Sequence, residues 1–234
     1  MHPDPKQLIE QNKNVYNLIA EHFSQTRKKI WGEFVLLKEY TRPGDRVLDV
    51  GCGNGRLYHL LEDLSIAYVG VDQSVAQLEE GRKKYPGAVF MEAQMQSLPF
   101  PDASFDVVYC IAALHHLPDE ASRLQALSEM RRVLKPGGIV VLTNWHLTPE
   151  TIKPDYREFT PREYLIPWKN QDGAVVGERY YHAFTEEELH LLCEKAGLHV
   201  EKQWSTAPDE TRTTQNRGNF VSICTTVSVT SKQK

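Results

Sequence analysis

Nine residues constrain this chain more than any other stretch. Val47-Leu48-Asp49-Val50 is a short apolar run broken only by Asp49, and Gly51-Cys52-Gly53-Asn54-Gly55 follows at once. Apolar residues then resume at Leu57, Leu60, Leu61 and Leu64. That order predicts a buried strand, a turn that needs positive φ or close backbone approach, and a helix whose N-terminus faces the turn. Such a unit can present backbone N–H groups and flat glycine surface to a nucleoside. Taken alone, it also occurs as a tight βα turn with no ligand.

A second carboxylate sharpens the reading. The apolar run Ala67-Tyr68-Val69-Gly70-Val71 ends on Asp72, 17 residues after Gly55. At the tip of the second strand of an open α/β sheet, an ionised Asp can accept hydrogen bonds from a ribose diol. The loop is G-x-G-x-G rather than the dinucleotide fingerprint G-x-G-x-x-G. Asp49 just before it would attract an amino-acid ammonium and repel a pyrophosphate. The charge argument therefore favours S-adenosylmethionine over a nicotinamide dinucleotide.

Five stretches in order, V-L-D-V-G-C-G-N-G, V-D-Q-S, L-P-F-P-D-A-S-F-D-V-V, L-H-H-L-P-D and R-V-L-K-P-G-G, run from Val47 to Gly138. Together they resemble a class I S-adenosylmethionine-dependent methyltransferase. The resemblance implies a Rossmann-like α/β fold: a mostly parallel seven-stranded sheet, helices on both faces, and a C-terminal antiparallel strand pair. It places Asp49, Gly51, Cys52, Gly53 and Asn54 around the methionine end of S-adenosylmethionine, and Asp72 with Gln73 at the ribose. Gln94, followed by Met95, stands at the adenine-reading position, where the family commonly has Asp. Gln keeps an acceptor oxygen, so that contact can survive. Ile111 and Ala112 are expected at the sulfonium end, with Tyr16 and Arg27 contributed by the N-terminal segment.

The flanks resemble one subgroup. V-Y-N-L-I-A-E-H-F-S-Q-T-R-K-K-I-W, C-I-A-A-L-H-H, Asn144-Trp145, I-P-W (Ile166 to Trp168), R-Y-Y-H-A-F-T-E-E-E-L and R-G-N-F are similar to the tRNA methyltransferases that esterify 5-carboxymethyluridine at the wobble position. The methyltransferase domain fused to a tRNA-modifying dioxygenase is among them. That subgroup usually ends R-D-N-W, whereas this chain reads Arg217-Gly218-Asn219-Phe220. The resemblance also implies tRNA as substrate and, from eukaryotic relatives, a small zinc-binding activator protein as partner.

Composition bounds these readings. A chain of 234 residues with 41% hydrophobic and 25% charged content can bury one ordinary core. The net charge of −4 gives no global basic field of the kind that carries non-specific nucleic-acid binding. DNA is not an expected partner. The four cysteines are far apart and form no C-x-x-C pair, so buried free thiols are expected, with no metal-ligand spacing. No apolar run approaches the ~20 residues that span a bilayer, and no signal peptide is apparent. A cytoplasmic protein with no membrane contact is the expectation.

The chain reads as a single methyltransferase domain over 1–234. A helical cover spans 1–42, from amphipathic helices at 7–23 and 30–40. The cofactor-binding core spans 43–146, with strands at 88–91, 105–112 and 139–143 and a helix from Asp119 through Leu134. Residues 147–184, with Pro149, Pro154, Pro161 and Pro167 and little periodicity, read as a long substrate-side connection. A capping box at Thr185-x-x-Glu188 opens the last helix, and 198–204 with 220–229 closes the sheet within 185–234.

A carboxylate acceptor is its own nucleophile and needs a cation rather than a base to orient it, ideally an arginine fork. Arg27, Arg179 and Arg217 are candidates. His116, at the carboxyl end of the fourth strand, is a catalytic candidate whose near-neutral pKa would make activity pH-sensitive; His115 is a weaker one. Trp145, Trp168, Tyr181 and His182 are candidate substrate contacts, the aromatics as platforms for an unpaired base. Lys28-Lys29 and Arg82-Lys83-Lys84 are short basic clusters that could reach phosphate. A small-molecule O-methyltransferase and a non-catalytic S-adenosylmethionine-binding domain are the alternatives.

Overall fold

The structure, a computed structural model, describes residues 3–26, 32–206 and 218–226. Arg27, Lys28, Lys29, Trp31 and Arg217, and the chain beyond Thr226, lie outside them.

Alternation along the strands fixes the architecture. The N-terminal helices α1 (Pro5–Leu18), α2 (Ala20–Thr26) and α3 (Gly32–Leu37) precede β1 (Arg46–Val50). Then come α4 (Arg56–Leu61), β2 (Ala67–Asp72), α5 (Val75–Lys84), β3 (Val89–Glu92), β4 (Phe105–Ile111), α6 (Glu120–Val133) and β5 (Leu134–Trp145). In β1, Leu48 and Val50 join Val108, Cys110, Val140 and Leu142 on one face, packed on Leu127, Met130 and Val133 of α6. Val47 joins Val107, Tyr109 and Val141 on the other face, packed on Leu37, Leu57, Leu61 and Leu78 of α3, α4 and α5. Both faces are covered, as a parallel sheet requires. The expected helix at 7–23 is two helices, broken at Ile19, the C-cap of α1.

The chain from 147 to 184 departs from expectation. It folds into β6 (Arg157–Thr160), β7 (Glu163–Lys169) and β8 (Val175–His182), an antiparallel three-stranded sheet. Pro167 masks this in the sequence. It is tolerated because the pairing of β6 with β7 stops at Leu165, so Pro167 pairs only with Glu178 of β8. Alternation is present once the proline is discounted: Tyr164, Ile166 and Tyr181 pack with Leu147, while Leu165 and Tyr180 pack with Leu8 of α1.

After β8 come α7 (Glu186–Lys195), β9 (Leu198–Ser205) and β10 (Asn219–Thr226). The main sheet has the order β3-β2-β1-β4-β5-β10-β9, with β10 antiparallel to both of its neighbours. The mixed seven-stranded sheet matches the expected fold class. The strand order reverses between β1 and β4, which leaves a crevice at their carboxyl ends.

Candidate active site

That crevice is a cavity to whose lining α1 contributes Ile9, Asn12 and Tyr16 and α2 contributes Phe23. At its floor Gly51 has φ +73°, and a Cβ there would lie 2.4 Å from Ala113 Cβ, so only glycine fits between β1 and the turn after β4. The Gly51 and Cys52 N–H groups both donate to the Val71 carbonyl, which closes the loop onto β2. Ala112, lining the same wall, also has positive φ, held by its N–H donating to Thr143 O and Oγ1.

Two carboxylates face this end. Asp72 Oδ2 accepts the Gly53 N–H at 2.9 Å and Oδ1 accepts the Ser74 N–H at 2.8 Å, leaving lone pairs on both oxygens. Asp49 is buried, and its Oδ2 accepts from Tyr68 OH at 2.7 Å. Burial pushes its pKa up to about 7; the Tyr68 hydrogen bond and Arg56 work against that shift and Asp72 adds to it. Asp49 Oδ1 and Gln77 Oε1 are buried acceptors with no partner among the described residues. Both residues line the cavity, together with Gly51, Cys52, Gly53, Asn54, Asp72, Gln73, Met95, Ile111, Ala112 and Tyr16. Unsatisfied acceptors beside an acidic, glycine-floored wall fit a ligand with an ammonium and ribose hydroxyls, as S-adenosylmethionine has.

Gln94 does not join them. It pairs with Ser97 in a one-residue bridge, and its neighbours Ala93, Met95 and Gln96 line the cavity instead. Gln77 and Gln96 were missed by sequence reasoning. Gln77 falls on the buried face of α5, where periodicity alone suggests packing.

The opposite end of the cavity is cationic and aromatic. Arg179 on β8 is buried, and its guanidinium lies over the rings of Trp168, Tyr181 and Tyr16 at 5.0, 5.3 and 5.7 Å. Its Nη1 donates to Tyr181 OH at 2.9 Å and reaches Tyr16 OH at 3.4 Å, while its Nε–H has no partner among the described residues. The ion pairs among the described residues include none to Arg179.

His116 completes the array. Nδ1 lies 2.9 Å from the Tyr180 carbonyl, which can only accept, so Nδ1 carries the proton and Nε2 accepts from Tyr16 OH at 2.9 Å. Burial first, and Arg179 second, push its pKa down to about 3. The expected near-neutral titration is therefore corrected: His116 stays neutral and holds Tyr16. His115 is fully buried and stacks on Tyr181, with burial holding its pKa well below the usual histidine range. Trp145 lines the cavity and stacks on Tyr181 at 4.5 Å and 17°.

Two expected substrate contacts lie elsewhere. His182 is enclosed by carboxylates, Nδ1 at 2.8 Å from Glu163 and Nε2 at 2.7 Å from Glu188, which also approach the buried Arg123. This network joins the small sheet to α6 and α7 and does not face the cavity. Trp168 packs behind Arg179, donating Nε1–H to His22 Nδ1, and lines a separate outer cleft with Gln25 and Asp172. In the Arg82 to Lys84 cluster, Arg82 donates to the Phe90 carbonyl and Lys83 pairs with Glu80.

Fold and cavity together define an α/β domain whose one cavity joins an acidic, glycine-floored end to an end lined by Arg179 and aromatic side chains. Residues 48–142 match the methyltransferase domain family. The tRNA (carboxymethyluridine(34)-5-O)-methyltransferase of Schizosaccharomyces pombe is 30% identical over 201 residues, covering 78% of this chain and 86% of that protein. A solved S-adenosylmethionine-dependent methyltransferase of Methanosarcina mazei superposes with TM-score 0.68 at 25% identity, covering 85% of this chain and 98% of that one. In the solved complex between the Haloferax volcanii Trm112 methyltransferase activator and a methyltransferase, the matching chain gives TM-score 0.65 at 20% identity, over 92% of this chain and 95% of that one. The last likeness shows the fold alone. This chain belongs to the class I S-adenosylmethionine-dependent methyltransferases, and S-adenosylmethionine is its cofactor.

Proposed function

We propose that this methyltransferase esterifies the carboxylate of a 5-carboxymethyl-type wobble uridine in tRNA. The observation that carries the reading is Arg179: a buried guanidinium in the cavity wall with no carboxylate partner among the described residues. Burying an uncompensated charge is costly. It is expected where a ligand brings the counter-charge.

S-adenosylmethionine supplies an electrophilic methyl on a sulfonium. Asp49 and the loop Gly51 to Asn54 hold the methionine end, Asp72, Gln73 and Gln77 the ribose, Met95 and Gln96 the base, and Ile111 and Ala112 the sulfonium side. Arg179 and the Tyr181 hydroxyl would orient the acceptor carboxylate so that its oxygen could take the methyl in line, the sulfur–methyl bond breaking and neutral S-adenosylhomocysteine leaving as the ester forms. Neutral His116 removes no proton, because an ionised carboxylate has none to lose. Positioning of this kind can lower a barrier by several kcal/mol. Trp145 offers a ring edge for the uracil, and the S. pombe relative's name supports the choice of acceptor.

An activator of the Trm112 kind, as in the Haloferax volcanii complex, is the proposed partner. Among the described residues the sheet ends at β3, where Val89 and Met91 are exposed beside a strand edge with no partner, an edge that another protein can extend. The net charge of −4 favours a second reading, a small-molecule carboxylate as acceptor. Nucleoside mass spectrometry of bulk tRNA from cells with and without the gene separates the two. Loss of a uridine methyl ester is expected, and identical profiles would rule for the small molecule.

A further inference from the structure

Two ends of one cavity meet on two consecutive residues of α1. Tyr16 sends its hydroxyl to the anion end, onto His116 Nε2 and within 3.3 Å of Tyr181 OH. Its carbonyl turns the other way and accepts from Gln77 Nε2 at 3.4 Å. Asn17 does not line the cavity. Its Oδ1 accepts from Ser74 Oγ at 2.8 Å and from the Ala76 N–H at 3.2 Å, which ties α1 to the first turn of α5. Ser74 is also the residue whose N–H donates to Asp72 Oδ1 and whose Oγ caps α5 by accepting from the Gln77 N–H. At the far side, Asn12 pins α1 to β8: its Oδ1 accepts the Tyr180 N–H at 2.7 Å and its Nδ2 donates to the Tyr180 carbonyl at 3.2 Å.

The helix is thus a short strut. Asn12 and Asn17 stand about 7.5 Å apart along its axis at 1.5 Å per residue. One fixes it to the strand that carries Arg179, the other to the cap beside Asp72. We propose that Asn17 is a positioning residue that couples the two ends, so that a nucleoside engaging Asp72 firms the anion pocket around Arg179. The inference rests on the reading that Asp72 takes the ribose and Arg179 the acceptor carboxylate. Hydrogen bonds from a ribose diol to Asp72 restrain the Asp72–Ser74 contact, Ser74 restrains Asn17, and the helix carries that restraint to the Tyr16 hydroxyl. Any such coupling is reciprocal: the cofactor raises acceptor affinity by the factor that the acceptor raises cofactor affinity.

The test has two arms, each on the full chain and on the variants Asn17→Ala and Asn17→Asp. Asp keeps an acceptor oxygen facing Ser74 and the Ala76 N–H at the N-terminus of α5, so it serves as the conservative rescue. In the first arm, hydrogen–deuterium exchange is read with and without S-adenosylhomocysteine. Exchange at 175–182 is expected to slow several-fold in the wild type and in N17D, and to stay unchanged in N17A although N17A binds S-adenosylhomocysteine within about threefold of wild type. Absent protection in the wild type, or equal protection in N17A, would overturn the coupling. So would loss of S-adenosylhomocysteine binding by N17A, because Asn17 would then belong to the cofactor site. In the second arm, calorimetry measures an anticodon stem-loop carrying 5-carboxymethyluridine. S-adenosylhomocysteine is expected to tighten its binding at least about fivefold in the wild type, within the usual range of such couplings, and less than about twofold in N17A. A stem-loop that binds none of the proteins would sink the tRNA reading, while the exchange arm still decides the coupling.

Discussion

The two ends of the cavity are built in opposite ways. The cofactor end is acidic, with Asp49 and Asp72, and is made by backbone geometry within β1, its glycine loop and β2. The anion end is cationic, and its side chains come from α1, the turn after β4, the end of β5 and β8. The contrast teaches that each end carries the charge opposite to that of the ligand group proposed for it. Under the proposed function a cation would rest on carboxylates, an anion would meet a guanidinium, and the methyl would pass between them. It also separates two construction rules, because a local motif can be read from contiguous residues and a convergent one cannot.

Mutations should split along this line. The largest expected effect is Arg179→Met, which removes the counter-charge of the acceptor. Truncating one partner of a buried charge pair costs ~2–5 kcal/mol, so kcat/KM should fall on the order of 10^2–10^3-fold. Calorimetric affinity for S-adenosylhomocysteine should stay unchanged; a comparable loss of cofactor binding would break the division into two ends. Asp72→Asn should do the reverse. With a charged acceptor weakened toward the ribose, cofactor affinity should drop roughly tenfold to 100-fold, in line with hydrogen bonds to charged groups being worth ~1.5–3 kcal/mol. Stem-loop binding without cofactor should be little altered.

The ends should also differ in pH response. Asp49 titrates at about 7 in the cofactor-free protein because burial disfavours its charged form. Below that pH the carboxyl is neutral and a cationic ligand loses its counter-charge. S-adenosylmethionine affinity should therefore weaken as pH falls from 8 to 6, by up to about tenfold per pH unit below 7. Asp49→Asn should flatten the slope. His116, neutral down to about 3, adds no inflection on the acceptor side between pH 5 and 8. A stem-loop affinity that changed steeply there would refute the neutral assignment. The smallest effect on turnover is expected from His182→Asn. That change removes a histidine held by Glu163 and Glu188, so it should lower the melting temperature by a few degrees and leave kcat/KM within about twofold.

Particular residues show why the two ends differed in how far they could be foreseen. Asp49, Gly51, Asp72 and the strand–helix alternation follow from local chemistry. A buried run, a turn that only glycine can make and a carboxylate at a strand tip each constrain their immediate neighbours. The sequence puts Gln94 at the adenine-reading position, whereas its neighbours Ala93, Met95 and Gln96 line the cavity, because one residue of register in a short bridge decides which side chain faces it. His182 looked like a site residue beside Tyr181. On a strand, however, successive side chains point to opposite faces, and its face meets Arg123, Glu163 and Glu188. The small sheet was hidden by Pro167, whose tolerance depends on where β6 stops pairing.

The amino-acid order by itself determined the glycine loop with its two carboxylates and the alternating α/β plan, because the forces involved act over a few residues, and its motifs carried the resemblance that implied the class of enzyme. Only tertiary structure decided that Arg179 is buried in the cavity wall without a carboxylate partner among the described residues, that burial lowers the pKa of His116, and that Trp145 lines the cavity. Those properties belong to what surrounds a side chain: Arg179 has no carboxylate partner among the described residues, and His116 owes its low pKa to burial and to Arg179, which lies more than sixty positions away in the chain.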